Sequence, residues 1–270
     1  LFLPLFIISS GIFRLLKYDK GLMMGNRVYK GENRIVYAVG DLHGDHGSFS
    51  KALALKVREE GSLLLFLGDY ADRGPEGVEI ITELDRLLDE REDIVALKGN
   101  HEDYRDGRPV FSPCDLPSEA EAKYGSWERF YEEVMKGFLG KLHIAAVIGS
   151  VLFVHAGISS AIKTVDDLAR EENEKDILWS DPSGARGEHF NIRGAGITFG
   201  EDITAKVLDS LGLRILVRSH EPRKAAYGPH LEHGGRVITT NACTSYGEPW
   251  EPFVLKVDTR DAKYEPVFLA

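Results

Sequence analysis

Cysteine is nearly absent: the 270-residue chain holds two, Cys114 and Cys243. Two thiols supply no disulfide framework and no cysteine-rich zinc site, and they fit a reducing compartment. Each reads as a free thiol, buried or half-buried. An excess of cations is also lacking. Lys and Arg number 33 against 43 Asp and Glu, for a net charge of −10. That balance excludes non-specific nucleic-acid binding, and a phosphorylated ligand would have to be drawn in locally, against the overall field. No repeat or low-complexity tract is present, and no long apolar run. Leu1 to Leu16 is mostly apolar, but Pro4, Ser9, Ser10, Gly11 and Arg14 interrupt it, and a bilayer span needs about 20 such residues. No basic region precedes it, as a signal peptide requires. The sequence opens without Met, while Met23-Met24 stands just ahead of the first recognisable strand. The preferred reading is upstream sequence included by a misplaced start. A truncated membrane anchor and an ordered apolar arm are the alternatives. Residues 1–22 are therefore set apart as an apolar N-terminal extension, and 23–270 are read as one domain. A cytoplasmic location is expected, with anchoring through residues 1–16 as the alternative.

What is present is a large core, 43% hydrophobic, enough for one domain of this length. Arg34 to Val39, Leu63 to Leu67 and Asp93 to Leu97 read as buried strands. Ser48 to Glu60 and Pro75 to Glu90 read as helices between them, the second with Pro in its first turn. This β-α-β-α-β opening predicts neighbouring parallel strands with right-handed crossovers. Tyr104 to Gly125 reads as an irregular surface excursion. Trp127 to Leu139 is a helix with an aromatic core face. Ile144 to Val147 and Val151 to Val154 form a hairpin. Ser183 to Gly196 is a Gly-rich loop and Glu201 to Leu211 a helix. Arg214 to Val217, Arg236 to Thr240, Phe253 to Val257 and Tyr264 to Leu269 are strands. The pattern predicts an α/β (α+β) fold of two packed mixed sheets with helices outside.

Three runs carry chemistry: Gly40-Asp41-Leu42-His43-Gly44, Gly68-Asp69-Tyr70-Ala71-Asp72-Arg73-Gly74 and Gly99-Asn100-His101-Glu102. Each follows an apolar strand and reads as the turn leaving its end. Val154-His155-Ala156-Gly157 and Arg218-Ser219-His220-Glu221 repeat the arrangement with His. Asp41 and His43 alternate along an extended turn and can point at one ion. Asp69 can give an oxygen to each of two ions, Asn100 offers an amide oxygen, and His155 and His220 offer imidazole nitrogens. Alone, each is more often a cap or a satisfied polar group. As an ordered set on strand ends they point to a two-metal site. Mixed N/O ligands without thiolate suit Mn, Fe or Zn better than Ca. Two divalent ions and two carboxylates leave about +2, enough to attract a phosphate dianion and acidify a bridging water.

This ordered set resembles the metallophosphoesterases, and within them the phosphoprotein phosphatase family that includes the Ser/Thr protein phosphatases. The resemblance runs from about Arg34 to Val257. It takes in Ile144-Ala145-Ala146-Val147, Leu178-Trp179-Ser180-Asp181-Pro182, Arg193-Gly194 and Thr198-Phe199-Gly200. It implies the metallophosphoesterase fold for a catalytic domain over 23–270. It gives Asp41, His43 and Asp69 to one divalent ion, and Asp69, Asn100, His155 and His220 to the other. It makes His101 the general acid, oriented by Asp72, and Arg73, Arg193 and Asn100 the binders of substrate phosphate. An ion-bound hydroxide is expected to attack phosphorus in line while His101 protonates the leaving oxygen. Arg218, Glu102 and Asp181 read as supports. His46, His143, His189, His230 and His233 fall outside the pattern and read as structural or solvated, His46 and His189 near the cleft. One departure stands out: the eukaryotic enzymes carry a phosphate-binding Tyr where this chain has Ala242, and Tyr246 is a candidate to reach the same space. The expected activity is hydrolysis of phosphoserine or phosphothreonine in proteins. A dinucleoside polyphosphate hydrolase and a non-catalytic phosphoprotein-binding scaffold are the rivals.

Overall fold

The computed structural model describes residues 27–56, 61–247 and 249–269; the expectations for residues 1–22 lie outside them. One sheet has the strand order Lys263–Phe268, Phe253–Asp258, Ile35–Val39, Leu63–Phe66, Ile94–Ala96. The last three are parallel, and Phe253–Asp258 runs antiparallel to Ile35–Val39. A second sheet orders Val28–Gly31, Ala145–Ile148, Val151–Val154, Ile215–Arg218, Val237–Thr239 and His230–Glu232. The central runs, Ile35–Val39, Leu63–Phe66, Ile94–Ala96, Val151–Val154 and Ile215–Arg218, are mostly apolar and buried because both faces of the sheets are covered there. Side chains alternate between the faces. Val36, Ala38, Leu63 and Leu65 join Ala146, Ile148, Phe153 and Val217 in one cluster between the sheets. Tyr37, Val39, Leu64 and Phe66 pack with the helices His46–Lys56 and Gly77–Glu90. Leu152, Val154 and Leu216 pack with Glu171–Trp179 and Glu201–Leu211 on the far side. The result is the expected pair of mixed sheets with helices outside.

Several elements differ from expectation. The first helix starts at His46, because Asp45 caps it by accepting Ser48 N and Oγ, each at 2.9 Å; residues 57–60 are outside the described set. Pro75 precedes the second helix, which starts at Gly77. The Tyr104 to Gly125 excursion is partly regular. Tyr104–Arg105 pairs with Arg108–Pro109, and Leu116–Tyr124 is a helix. That helix buries only Leu116 and Ala120, too little for an apolar period to show. Trp127 to Leu139 is helical but carries a π turn at Tyr131–Met135. The Ser183 to Gly196 loop holds an exposed strand, Glu188–Phe190, paired with Ile197–Phe199. Strand Val28–Gly31 and helix Glu171–Trp179 have no counterpart in the sequence reading, being short and largely polar.

The parallel strands of both sheets bring their carboxyl ends to one edge. Asp41, Asp69 and Asn100 follow strands of the first sheet, and His155 and His220 follow strands of the second.

Candidate metal centre

Backbone bonds lock the turns together. Leu42 N and His43 N donate to Asp69 O at 3.0 and 2.9 Å, and Gly44 N donates to Tyr70 O at 2.9 Å. The buried Glu102 carboxylate accepts Asp69 N, Tyr70 N and Gly99 N at 2.9, 3.0 and 2.9 Å. Position 99 must be glycine, since a Cβ would lie 2.5 Å from Asp69 N and run into the Asp69 carboxylate. His43, Asp69, Asp72, Arg73 and His220 all have positive φ, five of the eight such non-glycine residues described. Each costs on the order of 1–3 kcal/mol and persists only where its surroundings over-determine it.

The six candidate ligands converge. His43 Nε2 lies 3.8 Å from Asp41 Oδ2 and 3.6 Å from Asp69 Oδ2. His155 Nε2 lies 2.9 Å from Asn100 Oδ1, 3.1 Å from His220 Nδ1 and 3.4 Å from Asp69 Oδ1. Asp69 thus turns one oxygen to each group, and all six residues are buried. His43 Nδ1 donates to Ala71 O at 3.0 Å and His155 Nδ1 to Leu67 O at 2.9 Å. Those bonds leave the Nε2 lone pairs for the centre. Burial pushes His43 and His155 down to about 4 and His220 well below the usual imidazole range, so all three are neutral near pH 7. Ser219 Oγ and His220 N (3.1 Å) donate to Asp41 Oδ1, whereas buried Asp41 Oδ2 has no partner among the described residues. Burial, and after it the Asp41 charge acting against His101, raise Asp69 well above the carboxylate range. Cations between these groups would satisfy the orphaned oxygen and reverse that shift. The donor set therefore fits divalent metal ions.

Beside the centre, His101 Nδ1 donates to Asp72 Oδ2 at 2.5 Å, and Leu116 N donates to Asp72 Oδ1 at 2.9 Å. Burial works against charge on both, yet the Asp69 charge and the Asp72 bond hold His101 above the usual histidine range. The His101 bond and backbone N–H groups likewise hold Asp72 below the usual carboxylate range. The Phe111 ring packs against His101 at 4.6 Å. Sequence reasoning does not single out Ser219 or Phe111: Ser219 lies between Arg218 and His220 with no chemical signature of its own, and Phe111 comes from the excursion, where spacing carries no signal.

The family model for calcineurin-like phosphoesterases matches residues 35–224. The chain belongs to that family. A probable serine/threonine-protein phosphatase of Encephalitozoon cuniculi (strain GB-M1) is 32% identical over 248 residues, covering 86% of this chain and 52% of the relative. The chain thus spans about half the length of that relative. A solved protein serine/threonine phosphatase from Saccharomyces cerevisiae superposes with a TM-score of 0.70 at 26% identity, covering 86% of this chain and 76% of that one. A cold-active protein-tyrosine phosphatase of a psychrophilic Shewanella sp. gives a TM-score of 0.58 at 18% identity, covering 89% and 82%, a likeness of fold alone.

The rim of this candidate site is built from loops. Arg193 Nε donates to Asp181 Oδ2 at 2.7 Å, and the buried Arg218 donates Nη2 to Asp181 Oδ1 at 3.0 Å. Asn191, also buried and unforeseen, donates Nδ2 to Asp181 Oδ2 (3.1 Å) and accepts Arg193 N (3.0 Å). Arg73 Nη1 lies 3.8 Å from Asp115 Oδ2. The Arg73 charge acts on His43 and the Arg193 charge on His220 and Asp41. Ala242 is buried in the core, whereas Tyr246 Oη lies 3.3 Å from His43 Nε2. His46 pairs with Glu83 at 3.1 Å, and the exposed His189 lies 2.8 Å from Arg186 O. His233 bridges Thr204 Oγ1 and Ser183 O. No described helix is long and apolar enough to cross a membrane.

Proposed function

We propose that this calcineurin-like phosphoesterase is a phosphomonoesterase with two divalent ions, acting on phosphoserine and phosphothreonine in proteins. The observation that carries it is Asp69, whose two oxygens face His43 Nε2 and His155 Nε2 at 3.6 and 3.4 Å, beside the His101–Asp72 pair. Asp41, His43 and Asp69 would hold one ion, and Asp69, Asn100, His155 and His220 the other. Bound there, two such ions (Mn, Fe or Zn) supply Lewis acidity and make a water acidic enough to attack phosphorus near neutral pH. Asp72 fixes the His101 tautomer and keeps its other nitrogen, Nε2, protonated to donate to the departing serine or threonine oxygen. Asn100, Arg73 and Arg193 would orient the phosphoryl oxygens and oppose their charge. The buried floor excludes bulk water from these contacts. The protein substrate class is supported by the relatives in Encephalitozoon cuniculi and Saccharomyces cerevisiae, both named serine/threonine phosphatases.

The test sets a phosphopeptide panel beside diadenosine tetraphosphate, with Mn, Fe and Zn varied. The proposal expects metal-dependent release of phosphate, fastest from phosphoserine or phosphothreonine peptides. Preferential cleavage of diadenosine tetraphosphate would overturn the substrate, and turnover of none of these by metal-loaded protein would overturn the activity.

A further inference from the structure

We infer that Tyr246 is a phosphate-positioning residue, its phenol donating a hydrogen bond to an anion oxygen on the Asp41–His43 side of the centre. The inference rests on the metal-ion reading above and goes beyond it. Four contacts place the side chain. Asp45 Oδ2 accepts Thr244 N at 3.0 Å and Thr244 Oγ1 at 2.8 Å, tying the loop to the turn that carries His43. The Tyr246 ring stacks on the buried Trp250 at 5.2 Å and 27°. It meets the His43 ring edge-on at 5.6 Å and 79°. The Arg223 guanidinium sits 5.8 Å from its centroid. A ring held in this way presents its hydroxyl at low entropic cost.

The direction of the phenol proton follows from the tautomer of His43. His43 Nδ1 donates to Ala71 O, so Nε2 carries the lone pair, and Tyr246 Oη lies 3.3 Å from it. An ion held by His43 takes that same lone pair. The phenol then loses its acceptor while its ring stays pinned, and the oxygen of an anion bound beside the ion is the replacement. Arg223, exposed at the same rim, adds a positive charge there, which helps draw an anion to a chain of net charge −10.

Tyr246→Phe removes the hydroxyl and keeps the stack. Calorimetric titration of the Mn-loaded full chain with inorganic phosphate reads binding without turnover. Binding is expected to weaken about tenfold or more, as for a hydrogen bond to a charged group, with metal content per chain unchanged. With a phosphopeptide, KM should rise more than kcat falls. Unchanged phosphate affinity would overturn the inference. So would a loss of metal with unchanged phosphate affinity per loaded chain, since Tyr246 would then serve His43 and not the anion. A wild-type chain that binds Mn but no phosphate overturns it as well. If wild type binds phosphate, loses that affinity on Tyr246→Phe and yet hydrolyses no phosphomonoester, the proposed function fails and this inference stands.

Discussion

The floor and the rim of the site are built differently. Every floor residue, Asp41, His43, Asp69, Asn100, His155 and His220, sits within a few positions of a strand end and is buried. The rim comes from chain far from those ends. Arg193 lies on a loop held by Asp181 and Asn191, Phe111 on an excursion, and Tyr246 on a loop pinned by Asp45 and Trp250. The floor is over-determined by ladders and backbone bonds, so it tolerates His43, Asp69 and His220 at positive φ. The rim rests on a few side-chain contacts at partial exposure. Chemistry common to phosphoester hydrolysis belongs on the rigid part, and discrimination among substrates on the part that can vary.

Substitutions should therefore hurt in order of their depth. Asp69→Asn replaces the carboxylate shared by both ligand groups and should abolish phosphopeptide turnover; metal analysis should find less than the wild-type content. Wild-type turnover in that variant would break the distinction at its base.

His101→Asn is expected to cut turnover of phosphoserine peptides about 10²–10⁴-fold with metal content unchanged. The loss should shrink for p-nitrophenyl phosphate, whose leaving group needs little protonation. An equal loss on both substrates, or a missing ion, would mean that His101 belongs to the metal site.

Gly99→Ala replaces no proposed ligand, yet its Cβ would collide with Asp69 Oδ1 and the Asp69 backbone and displace that carboxylate. Metal affinity should fall about 10–100-fold, the range for supporting groups of a metal site, as read by competition with a chelating dye. Unchanged affinity would show a floor softer than its backbone bonds suggest.

Arg193→Ala should lower kcat/KM about 10–100-fold, the worth of a charge-assisted hydrogen bond, without affecting metal binding. Phe111→Leu, which loosens packing on His101, should cost less than about tenfold in kcat, since it conserves most of the buried volume. A larger loss for Phe111→Leu than for Arg193→Ala would reverse the ranking of rim contacts.

The same contrast explains what could be read from sequence. The sheets were legible because Val36 to Val39, Leu63 to Leu67 and Val151 to Val154 are apolar on both faces. The candidate ligands were legible because each stands at a fixed offset past such a run. The helix Leu116–Tyr124 was not, since it buries two residues and shows no apolar period. Phe111 against His101, Asn191 against Asp181 and Tyr246 against His43 are contacts across 10, 10 and 203 positions that no local pattern encodes. The buried Ala242 closed one way of supplying a phenol to the site; only the folded loop shows another side chain reaching it.

The most direct test of the account is a metal titration. Metal-depleted protein is titrated with Mn while bound metal and phosphopeptide turnover are followed together. The account predicts no turnover at zero metal and full turnover at two ions per chain. Full turnover in metal-free protein, or saturation at one ion, would contradict it.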